Sequence, residues 1–189
     1  MSEPPEPRVA VRRLGPDDWG AYRRIRLEML LDAPDAFLTT HAEAAAHDEA
    51  TWRSRLGSAT TYLAEVSGGS AGSVTLWDGP LDGPPDEAFL VAMYVAPSAR
   101  RRGVGERLVR AVLDEADRRG LARVVLEVTS SNDGARRLYE RCGFTATGAT
   151  TPHPRRPELH EQAMVRERRP DAAGGPGMTD PGPSCTMGA

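Results

Sequence analysis

An arginine- and glycine-rich stretch holds the residues whose types and spacing point most directly to chemistry. Three consecutive arginines (residues 100–102) precede Gly103 and Gly105, between an apolar segment and a helical pattern. The first amides of a helix lack internal partners and carry partial positive charge. Glycines let an anion approach these amides, and arginines add charge-assisted hydrogen bonds. The stretch therefore predicts a cradle for a diphosphate group.

Two common phosphate-binding motifs do not fit this stretch. All 24 basic residues are arginines, so the lysine that a P-loop requires is missing, and no Schiff-base lysine exists. Leu108 stands where the dinucleotide-binding fingerprint places its third glycine. Taken alone, the stretch also fits a tight turn with solvated arginines.

A second motif lies one predicted strand further along the chain. It runs Asn132-x-x-Ala135-x-x-x-Tyr139-x-x-x-Gly143-Phe144. Together with Arg100-x-x-Gly103-x-Gly105, it resembles the acetyl-CoA site of the GNAT N-acetyltransferase superfamily. The predicted element order of most of the chain is also similar to that family. Residues 27–37 look like an uncharacterised bacterial subgroup of it.

The resemblance implies that acetyl-CoA is the co-substrate. In the family, the diphosphate lies on the Arg/Gly loop and the pantetheine arm pairs with the preceding strand. Main-chain groups of Met93 and Val95 would then hold the arm, together with Asn132, and Tyr139 would lie near the sulfur. The residues that would hold the diphosphate are Arg100, Arg101, Arg102, Gly103, Val104, Gly105 and Glu106.

The implied reaction needs a base and an acid. An alkylammonium near pKa 10 must lose its proton before attack, at a cost of roughly 4 kcal/mol near neutral pH. Glu127 is the first candidate for the base because it interrupts an apolar strand and some amino-group acetyltransferases of the family place a base there; pairing with an arginine is the alternative. Glu87 is the second candidate, although a solvated charge also fits. Tyr139 is the candidate acid, with core packing as the alternative.

Other reactive side chains are weaker candidates. His153 and His160 flank the last loop and could relay protons or bind an anionic acceptor, but they also fit an ordinary surface role. His41 and His47 carry the same ambiguity. Cys142 is expected to pack in the core. Two cysteines do not make a zinc site, and no metal is expected.

The elements that must position these residues are predicted in the order βααβββαβαββ. This is an α/β (α+β) arrangement, a GNAT-like mixed central sheet flanked by helices. We expect a loop at residues 35–47, a glycine-rich turn at 67–72 and a proline-rich loop at 151–157. The domain is expected to span residues 8–169, between a flexible stretch at 1–7 and a disordered Gly/Pro-rich tail at 170–189.

Composition excludes several classes of function. The net charge of −3 and the lack of aromatic residues among the arginines argue against a nucleic-acid partner. No apolar stretch approaches the roughly 20 residues of a membrane span, so a cytoplasmic protein without a membrane partner is expected.

The resulting prediction is an N-acetyltransferase that moves an acetyl group directly from acetyl-CoA to a primary amine. The acceptor is a small-molecule amine or a protein amino group, and a homodimer is a further expectation. Two other functions remain open at this point. One is an acyl-CoA-binding regulatory module with little turnover, and the other is an interaction protein that binds no CoA.

Overall fold

The computed structural model describes residues 8–81, 83–154 and 156–168 of the 189-residue chain. Seven strands form one sheet in the order β1-β2-β3-β4-β5-β7-β6, antiparallel except for the β4–β5 pair. The predictions for residues 1–7 and 170–189 lie outside the described residues. The strands are β1 Val9–Arg13, β2 Thr60–Val66, β3 Gly69–Trp77, β4 Glu87–Val95, β5 Arg123–Thr129, β6 Thr145–His153 and β7 Arg156–Glu167.

Five α-helices pack against this sheet, and they divide between its two faces. The first three join β1 to β2 and share a core with Leu63 and Tyr94. The other two lie on the opposite face, where Leu108 and Val112 pack on Leu126. The helices are α1 Trp19–Asp32, α2 His41–Ala45, α3 Glu49–Ser58, α4 Val104–Arg118 and α5 Asp133–Arg141.

The parallel pair at the centre of the sheet is short. Residues 87–89 of β4 pair with residues 123–125 of β5, and the register ends there. Ala92, in the next part of β4, has a φ of 53°, which is the left-handed region that a non-glycine residue seldom adopts. The register between β4 and β3 shifts at the same place. This β-bulge bends β4, and the two strands separate toward their carboxyl ends.

The predicted α+β architecture is confirmed, and three local predictions are wrong. The expected loop at residues 35–47 contains α2, whose amino end is closed by a reciprocal pair of hydrogen bonds between Thr40 and Glu43. The turn between β2 and β3 is only two residues long, because β3 begins at Gly69. The expected loop at 151–157 is largely strand, because β6 and β7 extend toward each other as a long hairpin.

Packing of α4 on the sheet should dominate the stability of this fold. Leu108 is completely buried, whereas Leu31, also in a helix, is 65% exposed. We expect Leu108→Ala to lower the free energy of unfolding by about 2–5 kcal/mol through lost burial and the cavity left behind. The matched control Leu31→Ala should change it by less than about 0.5 kcal/mol. Urea unfolding followed by circular dichroism measures both, and equal losses would contradict this packing.

Candidate active site

The opening between β4 and β5 exposes two strand edges. The residues of β4 beyond residue 89 do not pair with β5, and residues 92 and 93 do not pair with β3 either. Residues 126–129 of β5 pair only with β7. Their other edge therefore offers backbone donors and acceptors to an extended molecule placed between the strands. Met93 and Val95, the predicted pantetheine contacts, lie on the β4 side of this opening.

A close approach at Gly105 brings the rest of the site to this opening. A Cβ atom at this position would lie 3.0 Å from Leu138 Cδ2, 3.4 Å from Met93 Cε and 3.6 Å from Val95 Cγ2. Only glycine allows α4 to pack this closely on β4 and α5. The amino end of α4, the opened strand and the residue before Tyr139 therefore meet at one point.

The amino end of α4 has no cap from the protein. Gly103 occupies the N-cap position with φ 74° and ψ 0°, and no side chain hydrogen-bonds to the first turn. Within the described residues, the backbone amides of residues 101–106 make no hydrogen bond of good geometry. A Cβ on Gly103 would meet nothing within 4 Å, so the space beside these amides is open. Six donors at the positive end of a helix dipole can bind a diphosphate.

Three of the other described helices have a side-chain cap at their amino ends, whereas α1, like α4, has none. Thr40, Asp48 and Asn132 cap α2, α3 and α5 with their side chains. An N-cap side chain contributes about 1 kcal/mol to stability. The longest helix, α4, therefore lacks an interaction that three shorter helices have, and it lacks this interaction where the sequence predicts anion binding.

The three arginines before this helix do not share one role. Arg101 and Arg102 are exposed, and Arg101 has a φ of 63°. Arg100 instead donates from Nε to the Val95 carbonyl oxygen (3.0 Å) and from Nη2 to Asp32 Oδ2 (2.5 Å). Its side chain thus ties α1 to the end of β4. The predicted cradle accordingly uses the backbone of this loop more than the Arg100 guanidinium.

Tyr139 of α5 is buried in the core that α4 and α5 form with the sheet. Its ring packs edge-on against Phe144 at a centroid distance of 5.8 Å, and 5% of the residue is exposed. Burial raises the pKa of the hydroxyl, and the nearby Cys142 adds to the effect. The group therefore keeps its proton throughout the physiological pH range. Tyr139 fills the core and can also donate a proton.

Glu127 differs from the sequence-based expectation in one respect. It is exposed rather than buried, because Leu126 and Val128 use the core face of β5 and Glu127 faces the other side. No arginine of the described residues pairs with it. Tyr139 belongs to the core that contains Leu126 and Val128. The predicted base and the predicted acid thus lie on opposite faces of the sheet, beside the opening between β4 and β5.

Glu87 is not brought into this site. It lies at the closed end of the β4–β5 pair, directly opposite Arg123, and its carboxylate forms an ion pair with that residue. Six residues of extended strand, roughly 20 Å, separate it from Met93. Its position therefore fits a structural ion pair and does not support the second candidate for the base.

One further carboxylate, that of Glu161, lies near Glu127, and the imidazole of His153 lies near Glu161. Glu161 is diagonal to Glu127 on β7, since Thr129 pairs with Glu161 and Glu127 with Ala163. Burial raises the pKa of Glu161, the charge of Glu127 raises it further, and His153 opposes them. His153 is buried with Nε2 3.9 Å from Glu161 Oε1. The expectation of a surface histidine is wrong for this residue.

The two segments that border this face of the sheet, the β6–β7 hairpin and the segment before α2, contact each other. Arg156, at the start of β7, bonds to Asp35 between α1 and α2 at 2.8 Å. The long β6–β7 hairpin thereby contacts the segment that precedes α2. His160 is exposed on this hairpin. The two segments border the face that carries Glu127.

Some residues that shape the site could not be identified from the sequence. Ala92 is an alanine with a glycine-like φ, and nothing in an apolar run identifies such a position. Gly72 of β3 allows a close backbone approach to β4, since a Cβ atom at residue 72 would lie 2.5 Å from the Tyr94 carbonyl oxygen. The expected turn at residues 67–72 includes Gly72, so the sequence did not predict a close backbone approach within a strand.

The described residues show neither a metal-binding cluster nor a membrane-spanning helix. The described part of the chain holds no group of three or more His, Cys, Asp or Glu side chains that could bind a metal ion. None of the helices at residues 8–168 that the structure describes is both long enough and apolar enough to cross a bilayer.

Comparison with known proteins agrees with this geometry. The model of the acetyltransferase (GNAT) family matches residues 25–144. The chain therefore belongs to the GNAT family, a family of acyltransferases. The match includes the opened strand, the uncapped helix and the helix that bears Tyr139.

Individual relatives cover smaller parts of the chain. The ribosomal protein bS18-alanine N-acetyltransferase of Salmonella typhimurium is 36% identical over 80 residues, 42% of this chain and 54% of that protein. Mycothiol acetyltransferase of Thermobispora bispora is 44% identical over 64 residues, 34% of this chain and 21% of its own. Each match thus spans about half or less of the relative.

Solved structures confirm the fold over a longer range. The structure of yncA from Salmonella typhimurium, solved with its cofactor acetyl-CoA, has a TM-score of 0.70 and 23% identity. The match covers 87% of this chain and 99% of the yncA chain. The architecture is therefore that of a GNAT protein over almost the whole described part.

Asn132 combines a structural contact with a predicted binding role, and two substitutions separate them. Its Oδ1 accepts a hydrogen bond from the Ala135 amide at 3.1 Å. Asn132→Ala should lower the free energy of unfolding by about 1 kcal/mol, because the α5 cap is lost. Asn132→Asp keeps the acceptor and should stay within about 0.5 kcal/mol of the wild type. Urea titration checks both values, and an unaffected Asn132→Ala would contradict the cap.

Proposed function

We propose that the protein is an acetyl-CoA-dependent N-acetyltransferase that transfers the acetyl group directly to a primary amine. The observation that carries this proposal is the uncapped amino end of α4, with six backbone amides beside open space. A diphosphate satisfies these amides without any change in the fold. Family membership supplies the prior expectation that the diphosphate belongs to CoA.

The opened strands fit the remainder of acetyl-CoA. The bare edges of β4 and β5 would pair with the amide groups of the pantetheine arm, as a strand would. Asn132 would donate from its amide nitrogen while Oδ1 keeps the α5 cap. The thioester would then lie in the opening between the two faces of the sheet. Acetyl-CoA enters and leaves as a co-substrate, and no metal is part of the proposal.

The placement of Glu127 and Tyr139 supports direct transfer. The amine nitrogen attacks the thioester carbonyl, so a C–N bond forms and the C–S bond breaks. Glu127, on the acceptor face, takes the proton that the amine loses, directly or through a water molecule. Tyr139, on the other face, donates a proton to the departing thiolate. Burial raises the pKa of the Tyr139 hydroxyl, so the proton that this role requires is present at every physiological pH.

The acceptor is either a protein amino group or a small-molecule amine. Relatives with names of both kinds, a ribosomal-protein acetyltransferase and a mycothiol acetyltransferase, match this chain over 60 to 80 residues. Such partial matches leave both acceptor kinds open. A cytoplasmic location and a homodimer stay predictions of the same proposal.

The test combines calorimetric titration with acetyl-CoA and a thiol-release assay on a panel of primary amines and amino-terminal peptides. We expect saturable binding of acetyl-CoA that ATP does not match, and amine-dependent release of CoA. Glu127→Gln and Tyr139→Phe should each lower kcat/KM by about 10²–10⁴-fold while acetyl-CoA still binds. Glu140→Gln, an exposed carboxylate on α5, is the matched control and should keep wild-type kinetics.

Two results would contradict the proposal in different ways. Failure to bind acetyl-CoA at millimolar concentration would contradict both the acetyltransferase activity and the diphosphate cradle. The protein would then be the interaction protein of the alternative hypothesis. Tight binding with no thiol release for any acceptor, unchanged by Glu127→Gln, would indicate the acyl-CoA-binding regulatory module instead.

A further inference from the structure

Arg26 of α1 is a partly buried cation without a carboxylate. Its guanidinium carbon lies 5.5 Å from the centroid of the Phe37 ring, and Nη1 lies 3.9 Å from Met29 Sδ. No Asp or Glu of the described residues forms an ion pair with it or contributes to its pKa. An arginine taken out of water without a counter-charge normally has a reason to be there.

A second arginine without a carboxylate faces the same region from α3. Arg55 donates from Nη2 to His47 Nε2 at 3.2 Å. An imidazole carries no negative charge, so His47 supplies no counter-charge to this arginine. Burial is the main cause that lowers the pKa of Arg26; Tyr22 opposes it, and the charge of Arg55 lowers it further. Both guanidinium groups nevertheless stay charged at neutral pH, within electrostatic reach of each other.

A buried donor without an acceptor contacts a neighbour of each arginine. Trp52 of α3 is 1% exposed, and its Nε1 has no hydrogen-bond partner within the described residues. Its ring meets Tyr22 edge-on at 5.6 Å and His47 at 5.5 Å. Tyr22 lies one turn before Arg26 on α1, and His47 accepts from Arg55. The three donors Arg26, Trp52 and Arg55 therefore belong to one cluster in which the described residues supply no carboxylate partner.

This cluster adjoins the proposed acceptor side of the sheet. Phe37, which lies over Arg26, packs against the same core as Trp52 and as Ala92, the bulge residue of β4. Asp35, two residues before Phe37, bonds to Arg156 of the β6–β7 hairpin. The segment that covers Arg26 is thus the same segment that borders the face of Glu127.

We infer that Arg26, Arg55 and the Trp52 indole form a subsite that binds a carboxylate group, and that the acceptor amine carries this carboxylate. Two guanidinium groups and an indole N–H supply donors, while aromatic rings supply flat apolar walls. A planar carboxylate accepts paired hydrogen bonds from a guanidinium. The assignment of the carboxylate to the acceptor rests on the proposed function, whereas the subsite itself does not.

Nuclear magnetic resonance of the ¹⁵N-labelled full-length protein tests the subsite without any reaction. The chain has three tryptophans, so three indole N–H signals are expected, and Trp52→Phe assigns the relevant one. Titration with benzoate should shift the Trp52 signal saturably, with a Kd on the order of 1 mM for so small a ligand. Benzamide, its uncharged counterpart, should leave that signal in place. The other two indoles serve as internal controls.

Variants of two arginines on one helix sharpen this test. Arg26→Gln should weaken benzoate binding at least about tenfold, because a charge-assisted contact is lost. Arg24→Gln, at an exposed position of α1, should bind benzoate as the wild type does. Equal responses to benzoate and benzamide, or no loss in Arg26→Gln, would overturn the subsite. A stronger response to phenyl phosphate would overturn its assignment to carboxylates.

The link to the acceptor is tested with a matched pair of amines. With acetyl-CoA present, 4-(aminomethyl)benzoate should have a kcat/KM at least about tenfold above that of benzylamine, and Arg26→Gln should bring the ratio close to one. A ratio near one in the wild type would overturn the acceptor assignment. Benzoate binding in a protein that fails to bind acetyl-CoA would refute the proposed function and keep the subsite.

Discussion

The separation of β4 from β5 is the constraint on which the rest of this structure depends. Only three residues of each strand pair before the sheet opens, and the bulge at Ala92 stands in the part of β4 that turns away. A sheet normally closes such edges, because bare backbone groups cost free energy or recruit another strand. Here the opening creates a place where an extended molecule can pass between the two faces.

The other parts of the site are arranged around that opening. Gly105 lets α4 reach β4 and α5, and this contact carries six amides to the end of the gap. Strand alternation then assigns Glu127 to one face, while the core that includes Leu126 holds Tyr139 on the other. In the proposed reaction, the base that serves the incoming amine and the acid that serves the leaving thiolate would act from opposite sides of the thioester.

Much of this arrangement could be predicted from the sequence because it depends on local chemistry. The Arg/Gly loop, the following helix and the motif from Asn132 to Phe144 are continuous segments with characteristic residue types. Predictions that depended on distant contacts were less successful. Glu127 looked buried because its apolar neighbours hid the alternation of the strand. The bond between Arg100 and Asp32 could not be predicted either, because Asp32 lies 68 residues away. The bulge at Ala92 leaves no trace in residue type.

The acceptor side illustrates the same limit. Arg26 lies close to the apolar stripe of α1, and a charged residue there is usually assumed to reach water. Only the packing of α3 and Phe37 against it shows a cation without a carboxylate, beside an indole without an acceptor. Unsatisfied donors inside a fold are rare, so each one needs an explanation. The uncapped amino end of α4 is a second place with unsatisfied donors, and it is exposed. At both places the described residues supply fewer acceptors than donors.

The most direct test of the central claim follows the backbone amides of residues 101–106 by nuclear magnetic resonance while CoA is added. The account predicts that these amides show the largest shifts, that the bare edges of β4 and β5 respond with them, and that the capped amino end of α3 does not. Binding of CoA with its largest effects elsewhere, and no response at residues 101–106, would contradict the account.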